Sequence, residues 1–130
     1  MGVHDRTRES RSAWWLATAL LASVVLAAGV VAQSKRDVTV TARKYGFEPA
    51  EIRVQQDDLV NVVFTAEDIA HSFTIDDDHY RISRRAEPGK PAQFRFRADK
   101  PGEFAITCSL QIDDKCRGMR ARLVVTAKTR

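Results

Sequence analysis

Two cysteines, Cys108 and Cys116, and a methionine, Met119, fall within one twelve-residue stretch, downstream of a histidine in the phrase His71-Ser72-Phe73. Thiolate, thioether and imidazole are soft or borderline donors, the kind that select copper over calcium or magnesium. Both cysteines of the chain lie in that one loop, so they could instead close on each other as a disulfide. Other chemistry is harder to assemble. Ser109 has no histidine and carboxylate at triad-like positions, and no Gly-rich phosphate loop or His-Glu-x-x-His phrase occurs. His79, beside Asp76, Asp77 and Asp78, reads as part of a solvated acidic loop rather than a second, hard metal site. Lys115, Arg117, Arg120 and Arg122 surround the cysteine loop. They read as solubilising charge, or as a surface that steers an acidic redox or copper-donor partner.

The N-terminus must be set aside before elements can be assigned. Ala13 to Ala32 is a run of 20 residues without a charge, long enough as a helix to cross a hydrocarbon core of roughly 30 Å. Arg6, Arg8 and Arg11 precede it, and Trp14-Trp15 stand where an interfacial aromatic belt would lie. The reading is a basic cytoplasmic segment 1–12, a retained single-pass anchor 13–32, a linker 33–37 and one exported domain 38–130. The expected location is a bacterial-type cell membrane, with the domain on the periplasmic or extracellular side. A cleaved secretory signal ending near Ala32 is the alternative.

The remainder is the size of one small domain with a modest core. The chain carries 21 Lys+Arg and 17 Asp+Glu; without the leader's three arginines and two acids the excess is only about +3. No basic stripe is interleaved with aromatics, so nucleic acid is not an expected partner. Apolar residues alternate with period two at Val38 to Ala42, Ile52 and Val54, Leu59 to Phe64, Ser72 to Ile75, Phe94 and Phe96, Phe104 to Cys108, and Leu123 to Val125. That predicts seven short strands. Turn chemistry separates them at Gly46 and Pro49, Gln56-Asp57-Asp58, Pro88-Gly89 and Pro101-Gly102. Such a pattern indicates a β-sandwich or barrel. No helical period follows Ala32, beyond one turn allowed at Ala66 to Ala70. The acidic Asp76 to His79 stretch and the basic Arg81, Arg84, Arg85 stretch read as one long loop.

Taken in order, Tyr45-Gly46-Phe47-Glu48-Pro49-Ala50-Glu51-Ile52-Arg53-Val54, a single His71 before Ser72-Phe73, and Ala98-Asp99-Lys100-Pro101-Gly102-Glu103-Phe104 leading to Cys108-Ser109 resemble a cupredoxin. Within that superfamily the chain most resembles the exported copper-binding domain of cytochrome c oxidase subunit II and its relatives, over about Val38 to Val125. The resemblance implies an all-β, cupredoxin-like Greek-key sandwich and a copper site at its end, with His71 in the first ligand's place. The subunit's dinuclear loop runs Cys-x3-Cys-x3-His-x2-Met, and here those places hold Cys108, Ile112, Cys116 and Met119. Ile112 removes the second bridging thiolate, which argues against a dinuclear centre. Cys116 stands where a second imidazole would be, so an ordinary blue-copper set is not present either.

The set implied is therefore His71, Cys108, Cys116 and Met119 around a mononuclear copper. Two thiolates and a thioether favour Cu(I), and Cu(II) between two thiolates tends to oxidise them to a disulfide. Three readings follow: one-electron transfer by an anchored cupredoxin-like carrier, which is put first; Cu(I) binding and delivery for oxidase assembly; and a metal-free interaction domain with a Cys108–Cys116 disulfide. None of them makes the chain an enzyme in its own right.

Overall fold

The computed structural model describes residues 33–129, together with Gly29. The segment 1–12 and, but for Gly29, the expected anchor Ala13 to Ala32 lie outside the described residues. The elements follow as β1 (Lys35–Arg43), β2 (Gly46–Glu48), β3 (Glu51–Gln55), β4 (Leu59–Ala66), β5 (His71–Asp76), β6 (Arg81–Ala86), β7 (Ala92–Arg97), β8 (Gly102–Thr107), α1 (Asp114–Gly118) and β9 (Arg120–Thr126). The all-β expectation holds for the described residues, with nine strands where seven were expected. β1 starts at Lys35, inside the segment read as linker.

The strands form two sheets, β2-β1-β4-β7 and β3-β9-β8-β5-β6. β1 runs parallel to β4 and β3 parallel to β9, while the other pairings are antiparallel. Because successive side chains point to opposite faces, β4 alternates between half-buried and buried positions along its whole length. Val60, Val62 and Phe64 meet Phe73, Ile75, Ile106 and Leu123 from the other sheet in one core. Each such side chain, taken out of water, contributes roughly 1.5–3 kcal/mol. Phe64 sets its edge on Phe73 at 5.9 Å between centroids, and Phe73 reaches Phe94 at 5.2 Å, so aromatic contacts tie the layers together.

Three assignments from the sequence need correction. The basic stretch read as loop is β6, paired residue for residue with β5 from Asp76↔Arg81 to His71↔Ala86. It is an edge strand that buries only Ala86 fully, and Arg84 stands over the Phe94 ring at 5.6 Å. Charge is what an edge strand carries to discourage pairing with other chains, and it erased the apolar alternation that betrays strands. The possible helical turn at Ala66 to Ala70 is instead the end of β4 followed by a bend. The one helix among the described residues is α1, five residues inside the cysteine loop, too short for a hydrophobic period.

Two polar side chains, Asp58 and Tyr80, hold the pole away from the cysteine loop. The Asp58 carboxylate is fully buried and accepts from Gln55 N–H at 2.9 Å, from the Ser34 hydroxyl and from Arg36 Nε at 3.4 Å. Burial pushes its pKa up, but these hydrogen bonds and the Arg36 charge outweigh that and leave it below the ordinary value. Tyr80 donates its hydroxyl to the Lys100 carbonyl and accepts from the Lys100 N–H, each at 2.9 Å.

Candidate metal centre

The opposite pole gathers the end of β4, the start of β5, the end of β8 and the start of β9. His71 opens β5 and its ring is fully buried. Asp68, in the bend before it, accepts from His71 Nε2 at 2.9 Å. The same carboxylate accepts from the Lys44 and Ile69 backbone N–H groups, at 2.7 Å each. Partial burial pushes the Asp68 carboxyl up, and the bonds from Lys44, His71 and Ile69 outweigh it, bringing the pKa down to about 2. A carboxylate beside Nε2 keeps the proton on that nitrogen, leaving Nδ1 with a lone pair. Nδ1 is buried and has no hydrogen-bond partner among the described residues. An orphaned buried acceptor costs about 1–3 kcal/mol, which is a reason to look for what lies near it.

The ring lies beside the cysteines. One donor atom each from His71, Cys108 and Cys116 lies within 4.8 Å of the others. Cys108 follows β8, and its sulfur accepts from the Ser72 N–H at 3.4 Å. Ser72 is pinned in turn, its hydroxyl accepting the Ser109 N–H at 2.8 Å and touching the Thr74 and Ser109 hydroxyls at 3.1 Å. Cys116 sits in α1, whose first turn is capped by Asp113 accepting the Cys116 N–H at 2.8 Å. The two cysteines are joined as a disulfide, with Cα atoms 5.5 Å apart. Met119 caps the C-terminus of α1, donating its N–H to the Cys116 carbonyl at 3.1 Å, and its side chain is buried.

Of the four residues singled out in the sequence, the fold brings His71, Cys108 and Cys116 into one cluster and buries Met119 three residues further on. Copper through both thiolates and the disulfide are alternative states of the same pair, and the structure shows the second. The chemistry of the donors nonetheless fits a soft metal once the pair is reduced: a free Nδ1 lone pair, two sulfurs and a carboxylate orienting the imidazole from behind. Asp68 was missed in the sequence; its Asp-x-x-His spacing was the available signal. The basic residues around the loop are largely occupied. Arg117 pairs with Asp114 and Arg122 with Glu51, Arg120 donates to the Arg117 and Met119 carbonyls, and Lys115 lies over the Tyr45 ring. His79 pairs with Asp99 at 2.7 Å, outside any three-residue metal-ligand cluster among the described residues.

A sequence profile of the cupredoxin-like domain matches residues 13–125. The chain belongs to that family. A nitrous-oxide reductase from Ralstonia nicotianae is 31% identical to this cupredoxin over 104 residues, covering 76% of the chain but 16% of that enzyme's length. Among solved structures, the periplasmic domain of cytochrome oxidase subunit II from Bradyrhizobium japonicum superposes with a TM-score of 0.61 at 18% identity, covering 75% of this chain and 88% of that one. Auracyanin A, a blue copper protein from Chloroflexus aurantiacus, gives 0.59 at 14% identity, covering 72% of this chain and 100% of its own. At those identities the structural likeness speaks for the fold. The residues at the pole must speak for the site.

Proposed function

We propose that this cupredoxin binds one copper ion when its cysteine pair is reduced, through His71 Nδ1, Cys108 and Cys116 with Met119 as a weaker donor, and uses it for one-electron transfer. The observation that carries the reading is the buried His71 ring beside the two cysteines, with its Nδ1 left unpartnered. A copper ion held there supplies a one-electron couple. The protein's own groups do the rest. Asp68 fixes the imidazole tautomer, the Ser72 N–H stabilises charge on the Cys108 sulfur, and burial excludes water from all four side chains.

Copper delivery is the second reading, and the Cys108–Cys116 bond favours it, because a pair that closes on itself withdraws two soft donors in one step. The functional setting we propose is an anchored, single-pass protein with its domain outside the cytoplasm. The test is copper stoichiometry and free-thiol count on the purified chain, before and after mild reduction. We expect two thiols and one Cu(I) after reduction and neither before it. A reversible one-electron couple then selects electron transfer, and colourless Cu(I) binding without one selects delivery. Two freed thiols that bind no copper would leave a metal-free domain with a structural disulfide.

A further inference from the structure

Every candidate donor is sealed from solvent: His71 and Cys116 are 0% exposed, Met119 1% and Cys108 2%. A reductant attacking the disulfide, or a donor handing over copper, must touch a sulfur, so the segment between Ser109 and Met119 has to move aside first. Its two ends are held. Ser109 is pinned to Ser72 through its N–H, and Met119 is buried. Between them Leu110 packs partly against the core, while Ile112 is 49% exposed. Beyond that packing, polar contacts tie the segment to the body of the domain.

Those contacts converge on Tyr45, in the turn between β1 and β2. Its hydroxyl donates to Asp113 Oδ2 at 3.2 Å, while Asp113 Oδ1 accepts the Cys116 N–H at 2.8 Å. One carboxylate thus connects the outer turn directly to the backbone of a cysteine. Lys115 Nζ stands 5.2 Å from the centre of the Tyr45 ring, giving the segment a second hold on the same side chain. We propose that Tyr45, Asp113 and Lys115 form a latch that keeps the segment closed over the cysteines, and that its opening sets the rate at which thiol reagents and copper donors reach them. This rests on burial and contacts rather than on the copper reading, so a chain that bound no copper would still test it.

The experiment follows reduction of the full chain by excess dithiothreitol, whose two thiols become a cyclic disulfide as the Cys108–Cys116 bond opens to two thiols. Tyr45→Phe removes one hydrogen bond and keeps the ring; a typical net hydrogen bond corresponds to about fivefold in the opening equilibrium. Tyr45→Ala removes the lysine contact as well, for about tenfold or more. Tyr45 is 40% exposed, so neither change should disturb the core, and a melting curve checks this. Faster reduction in that order, with the equilibrium reduction potential unchanged, is the expected result. Rates within twofold of the parent would overturn the latch. So would a rate and potential that shift in proportion, since that reports a less stable disulfide rather than easier access.

Discussion

Replacing Asp68 by alanine isolates the role of the carboxylate behind His71. In the parent, Asp68 Oδ1 holds the Nε2 proton at 2.9 Å and the imidazole is fully buried, so the two tautomers are far from equal in energy. Moving the proton to Nδ1 would forfeit a charge-assisted hydrogen bond, worth roughly 1.5–3 kcal/mol, and would block the lone pair needed for a metal. Alanine removes that bias. The ring then divides between tautomers, or turns, and metal binding must supply the ordering that Asp68 supplied before. The expected loss in Cu(I) affinity is about 10–100-fold, the usual consequence of removing such an outer partner, or roughly 1.4–2.7 kcal/mol. Asp68→Asn, which retains an acceptor without its charge, should fall between parent and alanine. The assay is anaerobic competition against a chromophoric Cu(I) chelator at neutral pH, with two free thiols verified and the His71 tautomer read from ring nitrogen shifts. An Asp68→Ala affinity within twofold of the parent, with both thiols reduced, would refute the argument.

Other consequences are quicker to state. Cys116→His restores a second imidazole, so with copper the variant should show an intense thiolate-to-Cu(II) absorption that the parent lacks. It should also lose the stabilisation of the oxidised parent's short loop, about 2.5 kcal/mol in the chain-entropy account; loss of stability without colour would speak for a purely structural cysteine. Asp58 has a folded pKa below its unfolded one, so its contribution to stability is complete above the ordinary carboxylate value near ~3.9 and is lost as the pH falls from there through the depressed folded value. Urea titrations from pH 7 downward should show a steep acid limb that Asp58→Asn flattens; equal slopes in both proteins would count against this assignment.

The parts of this molecule legible in the sequence are those built on strong short-range signals. Period-two burial made β4 and β8 plain, because Val60, Val62 and Phe64, and likewise Phe104 and Ile106, face a core that demands apolar side chains at every second place. The donor types, with the cupredoxin resemblance, singled out His71, Cys108, Cys116 and Met119, of which the fold gathers the first three. β6 escaped because an edge strand satisfies half of its backbone against β5 and turns arginines to solvent, so its pairing lies in the register and not in its side chains. Helix α1 escaped because five residues are too few to show a period, and its existence depends on the Asp113 cap and on where Cys116 must sit. Asp68 beside His71 was a local signal left unread, but tertiary structure alone decided that His71, its Nδ1 unpartnered, would lie beside two sulfurs and that Tyr45 would reach Asp113 across 68 residues. These are contacts between residues that only the closing of two sheets brings together, and spacing along a chain carries no record of which distant side chains the twist of those sheets will make neighbours.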